Sequence, residues 1–157
     1  MFSTQLTHTF DAAHRLPNLP GKDANLHGHT WRASVTIAAP TLNTGVLVEF
    51  GSYKTLMRDW IDTHLDHSAM LGAGDPLLPA LRAEGCRVFV FDTSAGHASS
   101  WPTVETVAAL IAHYADRWLC DLHTPRPDAH VARVDVAATL TNAVTWLNPN
   151  RATWTPA

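Results

Sequence analysis

Apolar and polar positions alternate through the first forty residues, and the alternation keeps one phase in each of two stretches. In residues 4–14 Leu6, His8, Phe10, Ala12 and His14 share a parity, and in residues 27–39 His27, His29, Trp31, Ala33, Val35 and Ile37 do the same. A period of two is the mark of a strand with one buried face. The connection between them holds Pro17, Pro20 and Gly21, a loop composition, so two paired antiparallel strands are expected. Pro40 ends the second. A short apolar run at 46–48 then leads into a helix expected to start near Gly51 and Ser52, with Ser52 as its N-cap. Leu56, Trp60 and Ile61 stand at helical spacing, and the helix ends by about Leu65. After Asp66 and His67 the pattern predicts a Gly- and Pro-containing loop, a short helical piece at 77–83 and an apolar strand at 87–91. Residues 92–100 read as a polar surface loop. Pro102, Thr103, Val104 and Glu105 open a second long helix, capped by Thr103, with a stripe of Val107, Leu110, Ile111, Tyr114 and Leu119. Two further strands, 129–140 and 143–147, flank a turn at Thr141 and Asn142; the tail after Pro149 carries no pattern. This order predicts an α+β domain over residues 1–157, an antiparallel four-stranded sheet with two long helices on one face.

The strand phase changes the meaning of three histidines. If both early segments are strands, His27 and His29 share a face, and the neighbouring strand brings His14 to meet them. Three imidazoles around an open fourth position suit catalytic zinc, whereas structural zinc sites fill all four positions. In a chain with ten histidines some fall at i, i+2 by chance, so the strand context carries the reading.

Composition narrows the rest. With 157 residues, 46% apolar and 16% charged, the chain is expected to fold as a single globular domain. A net charge of −3 gives no electrostatic footprint for nucleic acid. Cys86 and Cys120 form no Cys-x-x-Cys pattern and no disulfide framework, which suits a reducing compartment. The sequence shows no signal-like start and no apolar run of membrane-spanning length, so a soluble cytoplasmic protein is expected.

Five ordered motifs resemble the 6-pyruvoyl-tetrahydropterin synthase and 6-carboxy-tetrahydropterin synthase family. They are Phe10-Asp11-Ala12-Ala13-His14-Arg15-Leu16, Leu26-His27-Gly28-His29, Gly45-Val46-Leu47-Val48-Glu49-Phe50, Leu65-Asp66-His67 and Pro102-Thr103-Val104-Glu105. The resemblance implies the tunnelling fold, in which subunits join sheets into a barrel as a homotrimer or homohexamer with active sites between subunits. It implies Zn2+ on His14, His27 and His29, and a pterin substrate, 7,8-dihydroneopterin triphosphate, on the way to queuosine-like or other deazapurine products. Asp66 and His67 would then be the catalytic pair that moves protons; the plainer alternative is a surface ion pair at a helix end.

The sequence also departs from that pattern. The family's carboxy-forming branch usually carries a cysteine where Asp23 stands, and an Asp carboxyl ordinarily titrates about 4.6 pH units below a Cys thiol. Asp23 is either a weaker catalytic proton carrier or a polar turn residue. Ala138 stands where a glutamate grips the pterin N–H edge, beside Thr139; a charged hydrogen bond of that kind is worth about 1.5–3 kcal/mol. Glu105 and Glu49 are candidate substitutes, although a glutamate in a first helical turn also suits the helix dipole. Leu71 replaces a usual asparagine, and Trp101 and Trp146 could reshape a pocket. Arg15, with Lys22 and Arg32, flanks the histidine loop and could meet a triphosphate or be surface charge. Three functions stay open: the zinc-dependent lyase, a divergent lyase or aldolase on another substrate, and a zinc-holding oligomer that binds without turnover.

Overall fold

The computed structural model of the protein describes residues 1–93, 99–124 and 126–149; the tail beyond 149 and the centre of the loop expected at 92–100 lie outside the described residues. Strands β1 (Phe2–His14) and β2 (His27–Ala39) pair antiparallel along their whole length, from Phe2 opposite Ala39 to His14 opposite His27. β5 (His130–Ala137) and β6 (Ala143–Leu147) extend the sheet beyond β2, both antiparallel. On the other edge β3 (Ser68–Gly72) and β4 (Val88–Phe91) run parallel to β1.

The sheet is therefore six-stranded and mixed, in the order β4-β3-β1-β2-β5-β6, and not the antiparallel four-stranded sheet expected from the pattern. β3 accounts for the largest part of the difference. All five of its residues are buried, so it has no exposed parity to alternate with and reads in sequence as part of a loop.

Helices α1 (Phe50–His64) and α3 (Val104–Cys120) cover one face, and a short α2 (Leu78–Ala83) precedes β4. The cap of α1 is Glu49, not Ser52: its carboxylate accepts the N–H groups of Gly51 at 2.8 Å and Ser52 at 2.6 Å, so the helix begins earlier than expected. Its buried residues are Tyr53, Met57 and Ile61, with Leu56 and Trp60 half-buried at the side. The cap expected for α3 is present, with Thr103 Oγ1 accepting the Thr106 N–H. The core lies between α1, α3 and the sheet face bearing Leu6, Phe10, Trp31, Ala33, Val35 and Ile37. The opposite face presents Thr7, Asp11, Thr30 and Ser34, joined in pairs by side-chain hydrogen bonds. Among the described residues no helix is long and apolar enough to cross a membrane.

Candidate metal centre and Asp-His pair

The β1–β2 register builds the histidine cluster. His14 closes β1 directly opposite His27, which opens β2, and His29 sits two residues on with the same parity. The loop between folds back on itself through Leu16 N–H to Asp23 O at 2.8 Å and a 3-10 turn at Lys22–Ala24. The three histidines offer ligand atoms that all lie within 4.8 Å of one another. His14 Nδ1 donates to Pro102 O and His27 Nδ1 to Asn25 O, each at 2.8 Å. A nitrogen that donates to a carbonyl holds the proton, so Nε2 carries the lone pair in both rings. Trp31 sits edge-on beneath, with ring centroids 4.9 Å from His14 and 5.7 Å from His29. Burial lowers the pKa of His14, against the opposing pull of the Pro102 carbonyl, and burial also lowers that of His29. Imidazoles are the donor set zinc uses, two of these three have their tautomers fixed from behind, and three ligands leave a coordination position open. These residues fit a zinc ion.

A pocket of about 640 Å³ opens over the cluster. Asp23, Glu105 and Thr139 line it with the three histidines, and Ala138 and Asn142 complete its far wall. Thr139 Oγ1 accepts the N–H of Asn142 at 2.9 Å and of Thr141 at 3.3 Å, and it lies 3.4 Å from the Thr141 hydroxyl. Arg15 is not brought to this pocket. Its guanidinium makes two 2.8 Å bonds to the carboxylate of Asp75, whose side chain is fully buried.

Asp66 and His67 form their expected pair, but elsewhere. Asp66 Oδ2 accepts from His67 Nδ1 at 2.7 Å, and Oδ1 accepts the Asp11 N–H at 2.8 Å. Burial pushes the Asp66 carboxyl up, yet the Asp11 N–H, His67 and Arg87 together hold it below its ordinary value. His67 is exposed at a φ of 54°, in the left-handed region, and its N–H donates to Asp11 O at 2.6 Å. His67 lines a second depression with Asp11, Ala13, Gly28 and Thr30, of the parity opposite to the histidines, and with Ala12 and His29, which share the histidine parity. Within one chain the pair is thus absent from the pocket walled by all three histidines, and His29 alone of the three also lines the depression that holds His67.

Comparison with known proteins decides what this combination is. The family model for 6-pyruvoyl tetrahydropterin synthase matches residues 4–148. The chain belongs to this family. It is 30% identical over 136 residues to a probable 6-carboxy-5,6,7,8-tetrahydropterin synthase of Halobacterium salinarum, covering 85% of this chain and 77% of that one. It is 43% identical over 67 residues to the 6-carboxy-5,6,7,8-tetrahydropterin synthase of Rickettsia bellii, covering 42% of this chain; there the match spans about half, 49%, of the relative's length. Among solved structures, 6-pyruvoyl tetrahydropterin synthase of Caenorhabditis elegans superposes with a TM-score of 0.58 at 20% identity, covering 94% and 95% of the two chains. A Plasmodium vivax 6-pyruvoyltetrahydropterin synthase, altered at a catalytic glutamate, superposes with a TM-score of 0.62 at 15% identity, covering 93% and 98%. The α+β fold of this family, helices on one face of a curled sheet, is the fold described above.

Sequence reasoning missed three parts of the family site. The carbonyls of Pro102 and Asn25 fix His14 and His27, and a backbone acceptor leaves no residue-type signal. Asn142 lines the pocket from the β5–β6 turn; its place beyond the strand end was the available clue. Trp101 and Trp146 do not line the pocket: Trp101 packs over Gly72, and Trp146 packs half-buried against the core. Leu71 is buried within β3.

Proposed function

We propose that the protein is a zinc-dependent lyase of the 6-carboxy-tetrahydropterin synthase type, acting on the side chain of a dihydroneopterin-type pterin. The observation that carries this is the His14, His27 and His29 cluster, with the tautomers of His14 and His27 set by carbonyls, at the base of a pocket large enough for a bicyclic ring. A zinc ion held there supplies Lewis-acid polarisation of side-chain oxygens. The chain's own groups do the rest. Asp66 keeps the His67 Nδ1 proton in place, leaving Nε2 to take and return a proton. Asp23, on the loop beside the histidines, is the carboxylate positioned to carry a proton on the near side of the pocket. Glu105 accepts from the ring N–H groups and the Thr139 hydroxyl donates to a ring acceptor. A catalytic glutamate in the Plasmodium vivax relative is a precedent for carboxylate chemistry in this fold.

Because Asp66 and His67 do not line the pocket walled by the three histidines of their own chain, the complete site is formed between two copies, as a homotrimer or homohexamer allows. Ala138 favours a second reading, a divergent side-chain lyase or aldolase on a related substrate: its buried methyl group offers a ring edge no hydrogen bond. Zinc-loaded protein incubated with dihydroneopterin substrates and followed by mass spectrometry tests both. Product that disappears on chelation, returns with zinc and falls about a hundredfold or more in His67→Ala supports the proposal. No product from any of them, with one zinc per chain measured, overturns it.

A further inference from the structure

Asp11 commits its main chain and its side chain to different neighbours. Its N–H donates to Asp66 Oδ1 at 2.8 Å, and its carbonyl accepts the His67 N–H at 2.6 Å. Both main-chain groups therefore point away from β2. Asp11 faces Thr30 across the β1–β2 ladder, so the two form a non-hydrogen-bonded pair, the position where side chains of an antiparallel ladder approach most closely. There the Thr30 hydroxyl donates to Asp11 Oδ1 at 2.6 Å, a short bond of the charge-assisted kind.

The bonds run in series from β2 to the imidazole. Thr30 holds the Asp11 side chain, the Asp11 main chain holds both Asp66 and His67, and Asp66 Oδ2 accepts from His67 Nδ1 at 2.7 Å. The pair depends on such anchoring. It stands just before β3, and His67, at a φ of 54°, has a left-handed backbone that a residue other than glycine keeps only where its surroundings fix it. The His67 side chain is exposed, so burial does not fix it, and hydrogen bonds carry that task.

From this geometry we propose that Thr30 and Asp11 are positioning residues for the Asp66-His67 pair. Their side-chain bond sets the strand position from which the Asp11 main chain holds both groups. The proposal rests on the lyase reading and adds to its site two residues that act through the pair. The sheet contains its own control. Thr7 and Ser34 also face each other across β1 and β2, with hydroxyls 2.8 Å apart, but they lie outside the stretch of β1 that pairs with β3.

The test uses the zinc-loaded, full-length oligomer. One readout is turnover of dihydroneopterin substrates, and the other is the imidazole nitrogen NMR signals of histidine-labelled protein, those of His67 being assigned by their loss in His67→Ala. Thr30→Val and Asp11→Ala should each lower kcat about tenfold or more, with KM, zinc per chain and oligomeric mass unchanged. In both, the His67 signals should move from a single Nδ1-protonated form toward a mixture of tautomers. Thr30→Ser and Asp11→Asn keep a donor and an acceptor and should recover most of the loss, and Thr7→Val should cause none. Added to His67→Ala, Thr30→Val should cost nothing further. Equal losses from Thr7→Val and Thr30→Val, zinc lost together with activity in Thr30→Val, or native kcat and native His67 signals in Thr30→Val would overturn the positioning role and leave the lyase reading standing. So would a loss in Asp11→Asn as large as in Asp11→Ala, which would trace the effect to the carboxylate's charge. A native protein without turnover, whose His67 signals still respond to Thr30→Val, would overturn the lyase reading instead.

Discussion

Arg15, which follows β1, and Asp66, which precedes β3, show how two charged residues expected to serve the site acquire unlike roles. Asp75 has no solvent contact at its side chain, and Arg15 meets both of its carboxylate oxygens at 2.8 Å. Arg15→Ala leaves a buried charge without its partner, a change that costs about 3–5 kcal/mol. The melting temperature should fall on the order of 10 °C, while zinc per chain, measured on folded protein, stays unchanged. A KM effect with unaltered stability would instead make Arg15 a substrate contact. Asp66 contributes through pH. Its carboxyl is held below the ordinary value by the Asp11 N–H, His67 and Arg87, against the opposing effect of burial. An acid depressed in the folded state adds stability that is fully present above the ordinary carboxyl range, about pH 4, and is lost as pH falls from there through the lowered value. Thermal melts between pH 6 and about pH 3 should therefore show a steeper acid limb for the native chain than for Asp66→Asn. Equal limbs would mean that the pair contributes no such stability.

At the level of elements, what could be read in advance was what repeats locally. The parity of β1 and β2 places His14, His27 and His29 together because a strand's facing depends only on its own sequence and its partner's register. The Thr103 cap and the buried stripe of α3 are equally local. Non-local features were not legible. Asp75 lies sixty positions from Arg15, so their bond follows from tertiary packing. Glu49 caps α1 although shorter side chains are the favoured cap type, because its carboxylate reaches two N–H groups at once. β3 hides because both of its faces are covered, and its end explains Gly72. A Cβ there would lie 2.5 Å from Ser100 O and 2.7 Å from the Trp101 ring, so the backbone at Ser100 or the indole must shift to admit it. Gly72→Ala should cost about 1–3 kcal/mol by overpacking, read as a lower urea midpoint with an unchanged slope. An unshifted midpoint would show that β3 and the Trp101 segment do not meet as described.

The arrangement of the whole molecule turns the separation of His67 from the metal centre into a prediction about assembly. The histidine pocket is walled by β1, β2, the start of α3 and the β5–β6 turn, while His67 stands just before β3 and lines a separate depression. On the proposed reading, a reaction that needs both draws the histidine pocket from one copy and the Asp-His pair from another. A chain lacking the metal and a chain lacking the pair should then rescue each other. His29→Ala and His67→Ala, each inactive alone, should recover roughly a quarter of the native activity when co-expressed and mixed at random in a symmetric oligomer. Only sites that take their histidine pocket from one variant and their Asp-His pair from the other are complete. A double variant carrying both changes in every chain should stay inactive when mixed with His67→Ala, since none of its pockets can hold the metal and no chain present offers the pair. Size-exclusion chromatography with light scattering checks that mixed assemblies form. Mixed assemblies without recovered activity would mean that each chain completes its own site, and the division of the site between subunits would have to be abandoned.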